Sequence, residues 1–178
     1  MREIVAGLMV SLDGVVESPD QWTGEYFSDD VGATIGSLMA AGDTMLLGRV
    51  TYEGFAEAFG SQSGGMADQM NNMPKVVVSN TLTSADWANS TLINDNVADE
   101  IKNLKDQPGK AINISGSATL ARWLLTQGLL DRFELLVFPV VVGRGKRLFE
   151  AGVDQVALTL DGCKALESGV LHLTYRPA

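Results

Sequence analysis

Glycines and small hydroxyl residues recur where apolar runs give way to helical ones, and such places suit a phosphate group. The clearest lies in Ala111 to Asp131, AINISGSATLARWLLTQGLLD. An apolar strand over Ala111–Ser115 meets a turn of Ser115, Gly116 and Ser117, then a helix that stops at Gly128. Small residues let a ligand approach the backbone, and a helix start offers unpaired N–H groups and a partial positive charge. An ordinary strand–helix connection is the alternative. A second such break follows the buried strand Thr44–Leu47, where Gly48, Arg49, Val50 and Thr51 lead into a helix over Tyr52–Ala58. Arg49 there could grip a phosphate with two parallel N–H groups or join a surface ion pair. A third strand, Lys75–Ser79, ends in Ser79–Asn80.

Acids and aromatics near these breaks are the other candidates. Asp13 follows the first strand, Glu3–Ser11, at the strand end where open α/β sheets place ligands. With Gly14 it also makes a good turn. Asp29 and Asp30 begin a helix that runs to about Ala41, a position where carboxylates complement the helix dipole. Trp22, Tyr26 and Phe27 sit in the polar loop Glu17–Phe27, suited either to stacking on a planar ring or to covering the core edge. The chain has one histidine, His172, and one cysteine, Cys163. That leaves no disulfide framework, no His/Cys metal cluster and no usual partner for a serine or cysteine nucleophile. His172 reads as a plain cross-strand residue of a hairpin.

A net charge of −9 argues against a nucleic-acid or anionic-membrane surface, and Arg144, Lys146 and Arg147 read as a solvated turn. No apolar run approaches the roughly 20 residues that span a bilayer. The N-terminal apolar run reaches Asp13 without a small-residue cleavage site, so it reads as a strand and the protein as cytoplasmic.

The elements that must hold these residues follow from the patterning. With 178 residues, 46% of them hydrophobic, the chain suits one domain over residues 1–178 with a sizeable core. A glycine- and methionine-rich loop with a short helix is expected over Gly60–Met73. A strand over Thr91–Ile93 and a helix over Asn96–Lys105 come next, and a long strand over Asp131–Val142 is interrupted by Pro139. Val156–Leu166 and Val170–Tyr175 pair as a hairpin about Glu167–Gly169. Strands alternating with helices predict an α/β fold with a mostly parallel sheet, ending in an antiparallel hairpin.

Taken in order, SLDG (Ser11–Gly14), MLLGRVTYEGF (Met45–Phe55), VVSNTL (Val77–Leu82), ISGSATLARWLLTQGLLD (Ile114–Asp131) and PVVVGRGKRLF (Pro139–Phe149) resemble the dihydrofolate reductase fold. The closer resemblance is to the reductase domain of the bifunctional riboflavin-biosynthesis deaminase–reductase and its stand-alone bacterial relatives. The resemblance implies an NADPH-dependent oxidoreductase that reduces a small heteroaromatic substrate resembling a ribityl-aminopyrimidine, a pterin or a flavin precursor. It places cofactor phosphates at Gly48, Arg49, Val50 and Thr51 and the adenosine 2′-phosphate by Ser79 and Asn80. The pyrophosphate falls on the turn from Gly116 through Ser117, Ala118 and Thr119 to Leu120. Substrate is then expected between Asp13 and the helix after Asp30, with Trp22 and Tyr52 as walls, and with Asp13 or Asp30 as proton donor or bound water in their place. The resemblance also implies a homodimer packed through the strand Asp131–Val142, and a cis peptide between Ser115 and Gly116. The zinc signature of the deaminase half is absent from the sequence. The alternative function is an NADP(H)-binding module without robust turnover, serving as a sensor or interaction protein.

Overall fold

The computed structural model describes residues 1–151 and 154–178. Its strands are β1 (Ile4–Ser11), β2 (Gly42–Gly48), β3 (Lys75–Val78), β4 (Ser90–Ile93), β5 (Ala111–Ser115), β6 (Arg132–Phe138), β7 (Leu158–Ala165) and β8 (Leu171–Pro177). The helices are α1 (Asp29–Ala40), α2 (Arg49–Phe59), α3 (Gly65–Asn72), α4 (Val97–Asp106) and α5 (Ala118–Thr126). All eight strands join one sheet in the order β4-β3-β2-β5-β1-β6-β8-β7. Pairings from β4 through β6 are parallel, and the β6–β8 and β8–β7 pairings are antiparallel.

Strand β1 occupies the middle, and its sequence IVAGLMVS fits that address because a strand covered on both faces has no need of polar alternation. Ile4, Ala6, Leu8 and Val10 point to one face, where they pack with Ile101 of α4 and Leu120, Leu124 and Leu125 of α5. On the opposite face the core is divided. Met45, Leu47, Tyr52, Met70, Val77 and Trp87 form one cluster, and Val31, Leu136, Phe138, Leu166 and Val170 form another. The divided face is where the fold leaves room for a ligand.

Element ends follow local chemistry. Helix α5 stops at Gly128, whose φ of +65° lies in the left-handed region expected of a terminating glycine. Helix α2 begins at Arg49, three residues before the expected Tyr52, because Gly48 already takes the extended N-cap conformation. Strand β6 ends at Phe138 and does not run on to Val142. Pro139 has no N–H for the ladder, and the Val140 N–H turns back to the Phe138 carbonyl at 2.8 Å. The 115–116 peptide is trans, against the expected cis bond. Gly116 at φ +85° and Ser117 at φ +60° reverse the chain there by two consecutive left-handed residues. Among the described residues, no helix is long and apolar enough to cross a membrane.

Candidate functional site

The parallel strands β2, β3 and β5 end side by side, with Gly48 opposite Val78 in the β2–β3 ladder and Ser115 opposite Gly7 on β1. Their breaks open on a single cavity of about 1250 Å³. Gly48, Arg49, Val50 and Thr51 line one side of it. The turn and helix start of Gly116, Ser117, Ala118, Thr119 and Leu120 line the next, and Ser79 and Asn80 lie at the far end.

The phosphate-suited part is built from two helix starts. Neither Gly48 at α2 nor Ser117 at α5 caps its own helix with a side chain. The first-turn N–H groups of both helices therefore keep their hydrogen-bonding capacity at the cavity wall. The Ser117 hydroxyl instead ties the two helices together. It accepts the Gly48 N–H at 2.8 Å and donates to Thr51 Oγ1 at 2.8 Å. The glycines keep this cradle open. A Cβ at Gly48 would stand 3.0 Å from Ser117 Oγ, and one at Gly116 would stand 3.3 Å from the Thr51 methyl. Backbone donors, hydroxyls and two positive helix ends form a donor set that fits a pyrophosphate.

Around the cradle, Arg49 is half-exposed and paired with Glu53 one turn on, at 2.9 Å. The Ser79 hydroxyl accepts the N–H groups of Thr81 and Leu82 at 3.2 and 3.1 Å, so it holds its own turn. Asn94, just past β4, joins Ser79 and Asn80 at the cavity wall because β3 and β4 run parallel and in register. The remainder of the cavity is apolar. Val5, Gly7 and Met9 of β1 form a floor with Leu136 of β6, and Ile35, Leu38 and Met39 of α1 form a wall. Asn113 fixes that wall by donating to the Leu38 and Met39 carbonyls, each at 3.1 Å.

Four expected substrate-side residues lie elsewhere. Asp13 accepts the Ser11 hydroxyl at 2.6 Å and the N–H groups of Val142 and Gly143 at 3.0 and 2.8 Å. Those bonds, the Ser11 hydroxyl foremost, hold its carboxyl down at about 2, so Asp13 is a clamp on the loop after β6 and carries no proton to donate. Asp30 is held below the ordinary carboxylate range by the Ser28 hydroxyl and then the Glu167 N–H, and it ties the start of α1 to the β7–β8 turn. Trp22 donates its indole N–H to the Glu17 carbonyl at 2.9 Å and sets its ring edge on Phe138, covering the core edge. Tyr52 is buried in the cluster around Val77, and its hydroxyl accepts the Trp87 N–H at 2.9 Å. It faces a separate shallow depression of about 430 Å³ beside Leu82 and Trp87.

Other residues reach the cavity without having stood out as candidates. Lys146 and Arg147 are exposed, as expected of a solvated turn, and also line the cavity. Glu134 lies in its floor, and the available signal was an acid in the apolar strand RFELLVF on the same side as Leu136. His172 is the cross-strand residue expected, and its contact across the β6–β8 pairing is with that acid, at 2.8 Å.

The chain has relatives throughout its length. It is 30% identical over 180 residues to the Bacillus subtilis (strain 168) protein YyaP, itself uncharacterized, covering 98% of this chain and 94% of that one. A putative riboflavin biosynthesis protein from Shewanella sp. PV-4 shares the fold with a TM-score of 0.80 at 20% identity, over 99% of each chain. Dihydrofolate reductase from Enterococcus faecalis, solved with NADP(H), superposes with a TM-score of 0.59 at 16% identity, over 98% of this chain and 96% of that one. The model of the RibD C-terminal domain matches residues 2–172, and with the dihydrofolate reductase-like fold just described, the chain belongs to the RibD C-terminal domain family.

Proposed function

We propose that the protein is an NADPH-dependent reductase acting on a small heteroaromatic substrate. The observation that carries this reading is the cradle of two uncapped helix starts joined through Ser117, opening into the same cavity as an apolar floor. At about 1250 Å³ the cavity exceeds the ~300–1000 Å³ of a typical single-ligand pocket. It has room for a dinucleotide and a second, flat molecule.

In this reading the first-turn N–H groups of α2 and α5 hold the pyrophosphate, with Thr51 and Thr119 contributing hydroxyls. Arg49 reaches a phosphate by exchanging its exposed pair with Glu53, an exchange with little net cost because surface pairs contribute only ~0–1 kcal/mol. Asn80 and Asn94 meet the adenosine end. The bound dihydronicotinamide supplies a hydride. Val5, Met9, Ile35, Leu38 and Leu136 exclude water from the end where a planar acceptor would lie. Both Asp13 and Asp30 are tied to backbone outside the cavity, so in this reading bound water is the proton source. That same withdrawal favours the second reading, a cofactor-binding module without robust turnover.

Titration of the purified protein with NADPH and NADH, followed by tryptophan fluorescence, tests the shared part of both readings. Binding of NADPH below ~100 μM is expected, and its absence overturns both. Oxidation of NADPH that depends on an added aminopyrimidine, pterin or flavin precursor separates the enzyme from the module.

A further inference from the structure

Glu134 is the only acid among the buried residues of the described structure, yet it forms part of the cavity floor. Its placement follows from strand geometry. Phe133 and Leu135 of β6 turn toward the helices α4 and α5, which sends Glu134 and Leu136 to the cavity side. In register, Glu134 stands opposite Gly7 on β1 and Thr174 on β8. Gly7 has no side chain, and a Cβ there would meet nothing closer than the Ile114 carbonyl oxygen at 3.8 Å. The space beside the carboxylate is therefore open.

Burying a carboxylate is costly unless its oxygens are partnered, and one oxygen of Glu134 is. Oε2 accepts the Thr174 hydroxyl at 2.7 Å and lies 2.8 Å from His172 Nε2. Oε1 lies 2.9 Å from Arg132 Nε, but that nitrogen is not aligned as a hydrogen-bond donor to any atom. An ionised carboxylate takes about four hydrogen bonds, so Oε1 retains accepting capacity. The same cavity is lined by Val5, Met9, Ile35, Leu38 and Leu136, apolar side chains that bring no donor of their own.

We propose that Glu134 is the substrate-recognition residue of this site: a flat heteroaromatic ring lies over Gly7 and donates an N–H, from an amino group or ring nitrogen, to Glu134 Oε1. His172 and Thr174 are positioning residues that hold the carboxylate from the far side. An acceptor-only edge or an anionic group at this end would meet a negative charge in an apolar setting and be rejected. The inference rests on reading the apolar end as the substrate end, but it can be tested without the nucleotide.

Two probes that differ only in the donor are 2-aminopyrimidine and 2-methylpyrimidine, titrated against the nucleotide-free protein by ligand-observed NMR. The wild type is expected to favour 2-aminopyrimidine by at least about tenfold. Glu134→Gln should remove most of that preference while leaving 2-methylpyrimidine binding and the NADPH titration unchanged. His172→Gln should weaken the preference by about threefold without abolishing it, a change that a purely structural histidine would not make. Equal binding of the two probes by the wild type, or an unaltered preference in folded Glu134→Gln, overturns the proposal. If Glu134→Gln does not fold, Gly7→Val decides, because filling the space over the carboxylate must abolish 2-aminopyrimidine binding, and its retention overturns the proposal. Absence of NADPH binding with the probe preference intact would instead refute both cofactor-binding readings and leave this proposal standing.

Discussion

The hydroxyl of Ser117 serves two helices at once, and its removal should be felt mainly in nucleotide affinity. Ser117→Ala leaves the Gly48 N–H and Thr51 hydroxyl without their partner, and the two helix starts lose their link. A hydrogen bond of this kind contributes about 1 kcal/mol, so NADPH affinity should fall roughly five- to tenfold in a fluorescence titration. Tyr52→Phe should do the reverse. It strands the buried Trp87 N–H, costing about 1–3 kcal/mol by urea unfolding, and leaves NADPH affinity unchanged. Asp13 has a depressed carboxyl, so the folded protein binds fewer protons than the unfolded chain between about pH 4 and pH 2. Its contribution is complete above that window and is lost as the pH falls through it. Asp13→Asn should flatten the acid limb of stability there, measured by urea unfolding at stepped pH.

These residues also show where the sequence could be read and where it could not. Glycine and hydroxyls at strand ends are legible because a close backbone approach restricts residue type so tightly. The anchoring of Asp13, Asp30 and Tyr52 is not legible in the sequence, because their partners, Val142, Glu167 and Trp87, are brought to them only by the tertiary fold. Glu134 carried a signal in its apolar strand, but only the neighbouring β1 and β8 reveal that its face opens on a cavity.

Among the elements, α3 and β3 share an arrangement that alternation alone does not disclose. Lys75 begins the apolar run KVVV, yet its ammonium is buried, donating to the carbonyls of Met70 and Met73 at 2.7 Å each, with the Trp87 ring 4.2 Å away. The lysine thus satisfies carbonyls at the end of α3 that the helix itself cannot. Lys75→Met should strand those carbonyls and cost about 1–3 kcal/mol by urea unfolding. Burial pushes the ammonium down from 10.5 to about 8. The unfolded chain therefore holds more protons than the folded one between those values, and stability should rise with pH across that interval. The variant should lack that rise. Strand β6 illustrates the opposite case: Pro139 in the sequence already marked where pairing weakens, and the strand ends one residue before it.

For the whole molecule, the order of alternating strands and helices conveyed the sheet's class, since parallel strands need crossovers that a hairpin does not. What the order could not convey is that β5 inserts between β1 and β2. The homodimer implied by resemblance remains a proposal, and the sheet restricts how it can form. Both hydrogen-bonding edges of β6 are taken, by β1 and β8, so a partner copy would have to pack on a face or pair along one of the sheet's edge strands, β4 or β7. Sedimentation over about a hundredfold range of concentration should show a dimer dissociating on dilution, and a monomer throughout would overturn the proposal.

The central position of β1 sets a schedule for the chain as it leaves the ribosome. Ile4 must wait for Ile112 and Val5 for Arg132, so the most apolar early segment has no pairing partner while more than half of the protein is still unmade. At roughly 5–20 residues per second, that delay is on the order of ten seconds, long enough for chaperones or other nascent chains to find it. Cellular yield should therefore depend on what shelters the first dozen residues during translation as well as on the strength of the finished sheet.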